Sequence, residues 1–118
     1  MPTTPTPLTV FMLVRTTPNW LALTPSERSA FVDDHLRPIL TANPAVGLRY
    51  FDAEFFSARI TDVLVWTTPD VPTFQPVVES LRETPFWGTY FEVVEILTGI
   101  EEAFAAHYEV APVGTAPA

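Results

Sequence analysis

The sequence predicts an α+β domain in which four antiparallel strands form one sheet and two helices cover one of its faces. Three features predict it: aromatic-rich, strand-like segments with charges in their interiors, a helix start with a capping box, and the order of the elements. A strand alternates faces with period two, so these segments indicate a sheet buried on both sides, with polar groups inside one layer. Buried charges are costly unless they are paired or wet, so we expect the sheet to cover a polar cavity.

The first half of the chain predicts a strand followed by a helix. Residues 8–15 are nearly all apolar and form the first strand. The run Thr24-Pro25-Ser26-Glu27 is a capping box, with Thr24 as the N-cap and Pro25 at the first helical position. The helix runs to about residue 42, and Pro38 bends it by removing one backbone hydrogen bond.

The second half predicts strand, strand, helix and strand. Residues 45–56 and 59–67 form two antiparallel strands with a tight connection. Asp70 or Thr73 caps a second helix that ends near Thr84-Pro85, residues 90–97 form the fourth strand, and 100–108 form a short closing helix. The resulting order, βαββαβ, is the split βαβ plan of a ferredoxin-like fold.

Length and composition predict one domain that self-associates. The 118 residues suffice for one core, which we expect over residues 8–109, between a disordered Pro/Thr-rich tail, 1–7, and a flexible tail, 110–118. An apolar content of 47% is more than such a domain should bury alone. Because both helices cover the same sheet face, the other face predicts a homodimer.

The charge pattern excludes several classes of partner. The net charge is −8, and the six basic residues are scattered arginines, so we expect no nucleic-acid binding. No apolar run approaches the roughly 18 to 20 residues that span a membrane. The absence of cysteine excludes disulfides and thiolate metal sites, and the start resembles no signal peptide, so we expect a cytoplasmic protein.

His35 is the first candidate for chemistry. At 100° per residue it falls within the apolar arc of Phe31, Val32, Leu36 and Ile39, which predicts an inward imidazole able to act as a general acid or base. The alternative is a core histidine that only hydrogen-bonds. The two histidines lie 72 residues apart and show no metal-binding spacing, so we expect no metal and no bound cofactor.

The strand acids are the second candidates. Asp62 shares a strand face with Ile60, Leu64 and Trp66, which we expect to line the cavity. On the fourth strand either face carries a glutamate, Glu92 or Glu95. His35, Asp62 and Glu95 form the predicted catalytic set. The predicted substrate contacts are Arg59, Trp66, Trp87, Tyr90 and Glu92. The alternative is that the charges pair structurally, as Arg49 or Arg59 with an acid, and that the aromatic residues are core.

Three strings resemble darcynin, a small bacterial family known as a domain of unknown function. They are Thr16-Thr17-Pro18-x-Trp20-Leu21-Ala22-Leu23-Thr24-Pro25-x-Glu27-Arg28, then Phe51-Asp52-x-Glu54-Phe55-Phe56-x-Ala58-Arg59, then Phe86-Trp87-x-x-Tyr90-Phe91-Glu92-x-Val94-Glu95-Ile96-Leu97. The resemblance covers roughly residues 8–109. Phe31-x-x-x-His35-x-x-Pro38-Ile39-Leu40 is similar to the first-helix pattern of the dimeric α+β barrel superfamily. That wider resemblance implies a dimeric barrel and, among its members, cofactor-independent monooxygenases, polyketide cyclases, lactone isomerases and haem enzymes.

The sequence therefore predicts a dimeric α+β barrel that binds a small, largely apolar organic molecule. If it is an enzyme, we expect a cofactor-independent isomerase, cyclase or monooxygenase of secondary metabolism in which His35 and a strand carboxylate move protons. The alternative is a non-catalytic, dimeric binding or interaction module whose buried charges are structural.

Overall fold

Four strands and five helices make up the fold in the computed structural model, which describes residues 6–117. The strands are β1 (Leu8–Thr16), β2 (Gly47–Asp52), β3 (Asp62–Thr68) and β4 (Phe91–Gly99). The helices are α1 (Pro18–Leu21), α2 (Pro25–Phe31), α3 (Arg37–Ala42), α4 (Val71–Arg82) and α5 (Ala103–Tyr108), and a π-helical turn, Val32–Leu36, joins α2 to α3. All strand pairs are antiparallel in the order β2-β3-β1-β4, which confirms the predicted ferredoxin-like plan.

Successive side chains along each strand point to opposite faces of the sheet, and the two faces differ in exposure. On β1, Val10, Met12 and Val14 are at most 4% exposed and face the helices, whereas Phe11 on the other face is 40% exposed. The same alternation buries the β3 row Asp62, Leu64, Trp66 and Thr68. The core therefore lies between the helices and one sheet face. The opposite face, which we call the open face, carries no helix within residues 6–117.

The helix that follows the capping box contains a π-helical turn. The amide of Glu27 donates to Thr24 Oγ1 at 3.1 Å, and Glu27 Oε1 accepts the Thr24 amide at 2.8 Å, which confirms the predicted cap. The amide of Arg37 bonds the carbonyl of Val32, five residues back, immediately before Pro38. The helix thus accommodates Pro38 with a widened turn at the residues preceding the proline.

The predicted tight connection between β2 and β3 is wrong. β2 ends at Asp52 and β3 begins at Asp62, and the intervening residues fold into a turn in which Ser57 donates its amide to the Ala53 carbonyl at 3.1 Å. Ser57 Oγ also accepts the amides of Arg59 and Ile60. Phe55 and Phe56, which resemble strand residues in the sequence, belong to this turn and are 82% and 91% exposed. Local hydrogen bonds therefore override their β-propensity.

The second half otherwise follows the prediction. Asp70 caps α4 by accepting the Thr73 amide at 2.7 Å, and α4 buries Val77 and Leu81. β4 carries an irregularity where its register against β1 shifts between Leu13 and Val14. The closing helix begins at Ala103 because the preceding residue, Glu102, has a left-handed backbone with φ 52°. Residues 1–5 of the predicted N-terminal tail and Ala118 lie outside the described residues.

None of the helices within residues 6–117 has the length and apolar character needed to cross a membrane.

Candidate functional site

A cavity of about 530 Å³ lies between the helices α1 to α3 and the end of the sheet formed by β2 and β3. Its apolar wall comes from both layers and consists of Trp20, Leu21, Val32, Leu36, Leu40, Leu48 and Phe91. Its polar lining consists of Thr16, Arg28, Arg37, Tyr50, Asp52, Glu54 and Asp62. The volume is within the range of about 300 to 1,000 Å³ that is typical of small-molecule sites.

Asp62 is the buried polar group of this cavity. Its side chain is 5% exposed, and Thr61 Oγ1 donates a hydrogen bond of 2.7 Å to its Oδ2. The same Thr61 oxygen accepts the amide of Thr16 at 2.8 Å, which orients the hydroxyl toward the carboxyl. No lysine or arginine lies within ion-pair distance of Asp62 in the part of the chain that the structure describes.

Asp52 lies directly opposite Asp62 in the ladder between β2 and β3. The Ala53 amide donates to the Thr61 carbonyl at 2.8 Å, which makes Asp52–Asp62 the neighbouring, non-hydrogen-bonded pair, whose side chains lie closer together. Two carboxylates so placed repel each other when both are ionised. The negative charge of Asp52 therefore opposes the ionisation of Asp62.

The surroundings of Asp62 raise its pKa. Burial is the largest cause, and Asp52 adds to it, while the hydrogen bonds from Thr61 and Tyr50 act in the opposite direction. Burial also raises the pKa of Tyr50, and the negative charge of Asp62 adds to that rise. Tyr50 lies two residues before Asp52 on β2, so the three side chains share one face of the sheet. The polar end of the cavity thus brings together two carboxyl groups and a phenol, with Asp62 as the proton-holding acid.

The two cations of the cavity are engaged elsewhere. Arg37 Nε lies 2.7 Å from Asp33 Oδ1, and both side chains are exposed. Arg28 donates to the carbonyls of Trp20 and Leu21 at 3.3 and 3.2 Å. The Arg28 guanidinium also lies 5.7 Å from the Trp20 ring, which packs 4.9 Å from Phe91. Arg28 therefore holds α1 and its tryptophan over the cavity.

The structure does not bring the predicted catalytic set together. Asp62 lines the cavity as predicted. Glu95 lies on the open face, where its carboxylate is 3.4 Å from Arg59, and its ladder partner Leu13 is on that face too. The predicted inward orientation of His35 is wrong: the side chain is exposed and does not line the cavity, although its ring lies 5.1 Å from Phe31. The π-helical turn advances fewer degrees per residue than an α-helix, which moves His35 out of the apolar arc.

The predicted substrate contacts are also dispersed. Trp66 is 2% exposed and packs in the core 5.7 Å from Phe74, without lining the cavity. Tyr90 packs against Trp20 and Phe31 at ring distances of 5.6 and 5.0 Å. The Arg82 guanidinium lies 5.6 Å from the Trp87 ring. Glu92 lies on the open face, opposite Arg15 in the ladder, and Arg59 pairs with Glu95.

Sequence reasoning missed Tyr50 and Asp52 as site residues. The signal is their spacing: Leu48, Tyr50 and Asp52 occupy alternate positions of β2 and share a face. Pairing that row with the row of Asp62 would have identified the group, but the register between the two strands is not visible in the sequence.

The described residues offer no grouping of three or more histidine, aspartate or glutamate side chains suited to a metal ion. No histidine lines the cavity, so its residues do not fit a haem held by an axial imidazole. The donor set of the cavity is therefore carboxyl, phenol and hydroxyl oxygen together with two guanidiniums.

The fold and cavity together define a ferredoxin-like α+β domain with a ligand-sized site between helices and sheet. The model of the Darcynin family, a domain of unknown function, matches residues 1–118, and the chain belongs to that family. A Darcynin homolog from Streptomyces avermitilis is 50% identical over 118 residues, covering 98% of each chain. A second, from Granulibacter bethesdensis, is 49% identical and covers 86% of this chain and 82% of the relative.

Solved structures confirm the fold at low sequence identity. A putative chlorite dismutase superposes with a TM-score of 0.68 at 20% identity, covering 85% of this chain and 45% of that one. The chlorite dismutase from Candidatus Nitrospira defluvii superposes with a TM-score of 0.67 at 12% identity, covering 80% of this chain and 40% of that one. The chain thus spans less than half of these structures, and the likeness shows the fold alone.

Proposed function

We propose that the cavity binds a small, largely apolar organic molecule and that Asp62 exchanges a proton with it. The observation that carries this proposal is a carboxyl group that is 5% exposed at the polar end of a cavity whose other wall is apolar. A structural carboxylate in such a place would be expected to have a cationic partner, since an unpaired buried charge is costly. Asp62 instead accepts a hydrogen bond from the Thr61 hydroxyl and lies opposite a second acid, Asp52, an arrangement suited to binding and releasing a proton.

The proposed reaction class is proton transfer without a bound cofactor, as in an isomerase or a cyclase. Asp62 delivers its proton to one atom of a bound molecule and accepts one from another atom, so the net change is zero. The apolar wall orients the molecule and limits the access of water to Asp62. His35 and Glu95 lie outside the cavity, so they take no part in this scheme.

Native mass spectrometry of the protein purified from its host tests the binding proposal. We expect a bound small molecule with the wild type and its loss in Leu36→Trp, which fills the cavity from the π-helical turn. Asp62→Asn should retain the molecule but lose any turnover of it, and Glu79→Gln, an exposed change on α4, is the matched control. A molecule retained equally by the wild type and Leu36→Trp would contradict the cavity as its site.

A second proposal concerns the open face, which favours a homodimer. Three apolar side chains there, Phe11, Phe51 and Leu97, are 40 to 50% exposed in the single chain. Val63 and Val65 lie between them on β3 and are only half-buried. An apolar face spanning four strands is typical of a protein interface, and a second copy of the sheet would cover it. Light scattering at a protein concentration of about tens of micromolar should give the mass of a dimer.

A further inference from the structure

The chain beyond the sheet, residues 100–117, forms what we call the C-terminal arm. Its helix α5 buries Ala105 alone, while Phe104 and Tyr108 are 69% and 61% exposed and pack on each other at 4.7 Å. Val110 and Val113 are 51% and 89% exposed. The arm thus presents a run of apolar side chains that its own domain does not cover.

The arm has a defined shape. Both carboxylate oxygens of Glu102 accept amides from its far end, that of Val113 at 3.0 Å and that of Gly114 at 2.7 Å. These bonds lower the pKa of Glu102, so its carboxylate is ionised near neutral pH. The Val110 amide also bonds the Ala105 carbonyl at 3.0 Å, closing α5. The apolar side chains are therefore held in an outward position by backbone hydrogen bonds, which a merely flexible tail would not require.

A groove on the open face begins at the root of the arm. Its volume is about 380 Å³, and it crosses the sheet from β2 to the end of β4. Its lining is Thr9, Phe11, Arg49, Val65, Thr67, Gly99, Ile100 and Glu101. Arg49 lies at the β2 end and Glu101 at the arm end, with apolar residues between them. The groove is therefore positive at one end and negative at the other.

A groove with opposite charges at its ends is complementary to a second copy of itself. A two-fold axis that lies between the two copies, parallel to the sheet and perpendicular to the groove, brings the open faces together and exchanges the two ends, so that each Arg49 meets a Glu101 and the apolar centres face each other. The same rotation carries the arm, which leaves the sheet after Gly99, toward the β2 edge of the other copy. That edge strand has an unpaired side, and its Phe51, on the open face, is 43% exposed.

We propose that a second copy of this chain docks on the open face about such an axis, with Arg49 of each copy against Glu101 of the other. In this arrangement the apolar side chains of the arm, Phe104 and Tyr108 first, pack along the β2 edge of the other copy. The inference rests on the proposed homodimer and adds its geometry. The proposed occupant is a second copy because the groove is positive at one end and negative at the other. The same groove turned end for end therefore presents the opposite charge at each end.

Sedimentation velocity over a concentration series tests the charge pairing. Arg49→Glu and Glu101→Arg should each raise the dissociation constant of the dimer by about tenfold or more. Because the dimer is symmetric, each change replaces two ion pairs by two contacts between like charges. The double variant Arg49→Glu/Glu101→Arg should return the dissociation constant to near the wild-type value. Arg82→Glu, an exposed change on α4, is the charge control, and circular dichroism checks that each variant is folded.

The arm is tested by Phe104→Ser/Tyr108→Ser, which should weaken the dimer while leaving the sheet folded. A wild-type dimer that is unaffected by either single charge reversal, or not rescued by the double variant, would overturn the pairing and leave the homodimer standing. A dimer of unchanged affinity in the arm variant would overturn the arm contact. A monomeric wild type would overturn this geometry and the proposed homodimer together.

Discussion

The covered and open faces of the sheet are built from the same strands, but acidic side chains have different surroundings on the two faces. On the covered face, β3 places Asp62 beneath the helices, 5% exposed and without a cation in the described chain. On the open face, Glu95 lies 3.4 Å from Arg59, and both side chains are about half exposed. An exposed pair of this kind contributes roughly 0 to 1 kcal/mol to stability. The two proposals accordingly locate proton exchange on the covered face and association on the open face.

The largest expected difference between the faces is in packing. Leu64→Ala on the covered face, where the side chain is 0% exposed, should lower the free energy of unfolding by about 2 to 5 kcal/mol. Leu97→Ala on the open face removes the same atoms from a side chain that is 50% exposed, and it should cost roughly 1 kcal/mol or less in the monomer. Urea unfolding at a concentration where the chain is monomeric measures both. Equal losses would mean that the open face packs against part of its own chain.

The pH dependence of stability sharpens the comparison next. Because the folded pKa of Asp62 is raised, the folded state holds its proton more tightly than the unfolded state does. Asp62 therefore lowers stability as pH rises from its unfolded pKa, about 3.9, through its folded pKa. Asp62→Asn keeps the shape and removes this loss. We expect its stability relative to wild type to increase with pH across that window.

Asp70 is the matched control for this titration. The hydrogen bond from Thr73 lowers the pKa of Asp70, so its contribution is present above the unfolded pKa and is lost as pH falls through the folded pKa. Asp70→Asn should therefore change stability with the opposite pH trend. If Asp62→Asn and Asp70→Asn follow the same trend, Asp62 is not the proton-holding group of the cavity.

A smaller effect on the free energy of unfolding is expected at the start of α2, one of the helices that cover the cavity. Thr24→Ala removes the N-cap of α2 and should lower the free energy of unfolding by about 1 kcal/mol. Ser26→Ala, an exposed change in the same turn, is the control and should have little effect. Because α2 and the π-helical turn cover the sheet, the loss should appear as faster hydrogen exchange in that helix before the strands. An unchanged unfolding midpoint would mean that the helix does not depend on this cap.

The elements predicted correctly are those that local chemistry determines. The capping box at Thr24, the cap at Asp70 (predicted as Asp70 or Thr73) and the period-two row of β3 act within a few residues, so the sequence displays them. The cavity depends on the register that places Asp52 opposite Asp62, and that is a long-range property. The β2–β3 turn was misread because Phe55 and Phe56 have strand propensity but lie in a turn held by Ser57.

His35→Ala should have the smallest effect on stability of these changes. It also tests most directly whether residue 35 points inward or outward on the helix. An inward imidazole in contact with a ligand or a buried partner would make His35→Ala costly for binding or for stability. The π-helical turn instead leaves the ring exposed beside Phe31, at 5.1 Å, and outside the cavity lining. We therefore expect His35→Ala to change the free energy of unfolding by no more than about 0.5 kcal/mol.

The same variant should also leave the cavity's bound molecule in place in native mass spectra. Phe31→Ala is the matched comparison, because its ring is 6% exposed in the core and its loss should cost about 3 to 5 kcal/mol. The two side chains are four residues apart, about one helical turn, and the π-helical turn that begins at Val32 lies between them. Loss of the bound molecule from a folded His35→Ala protein would place the imidazole in the site and restore the α-helical phase that the sequence alone predicts.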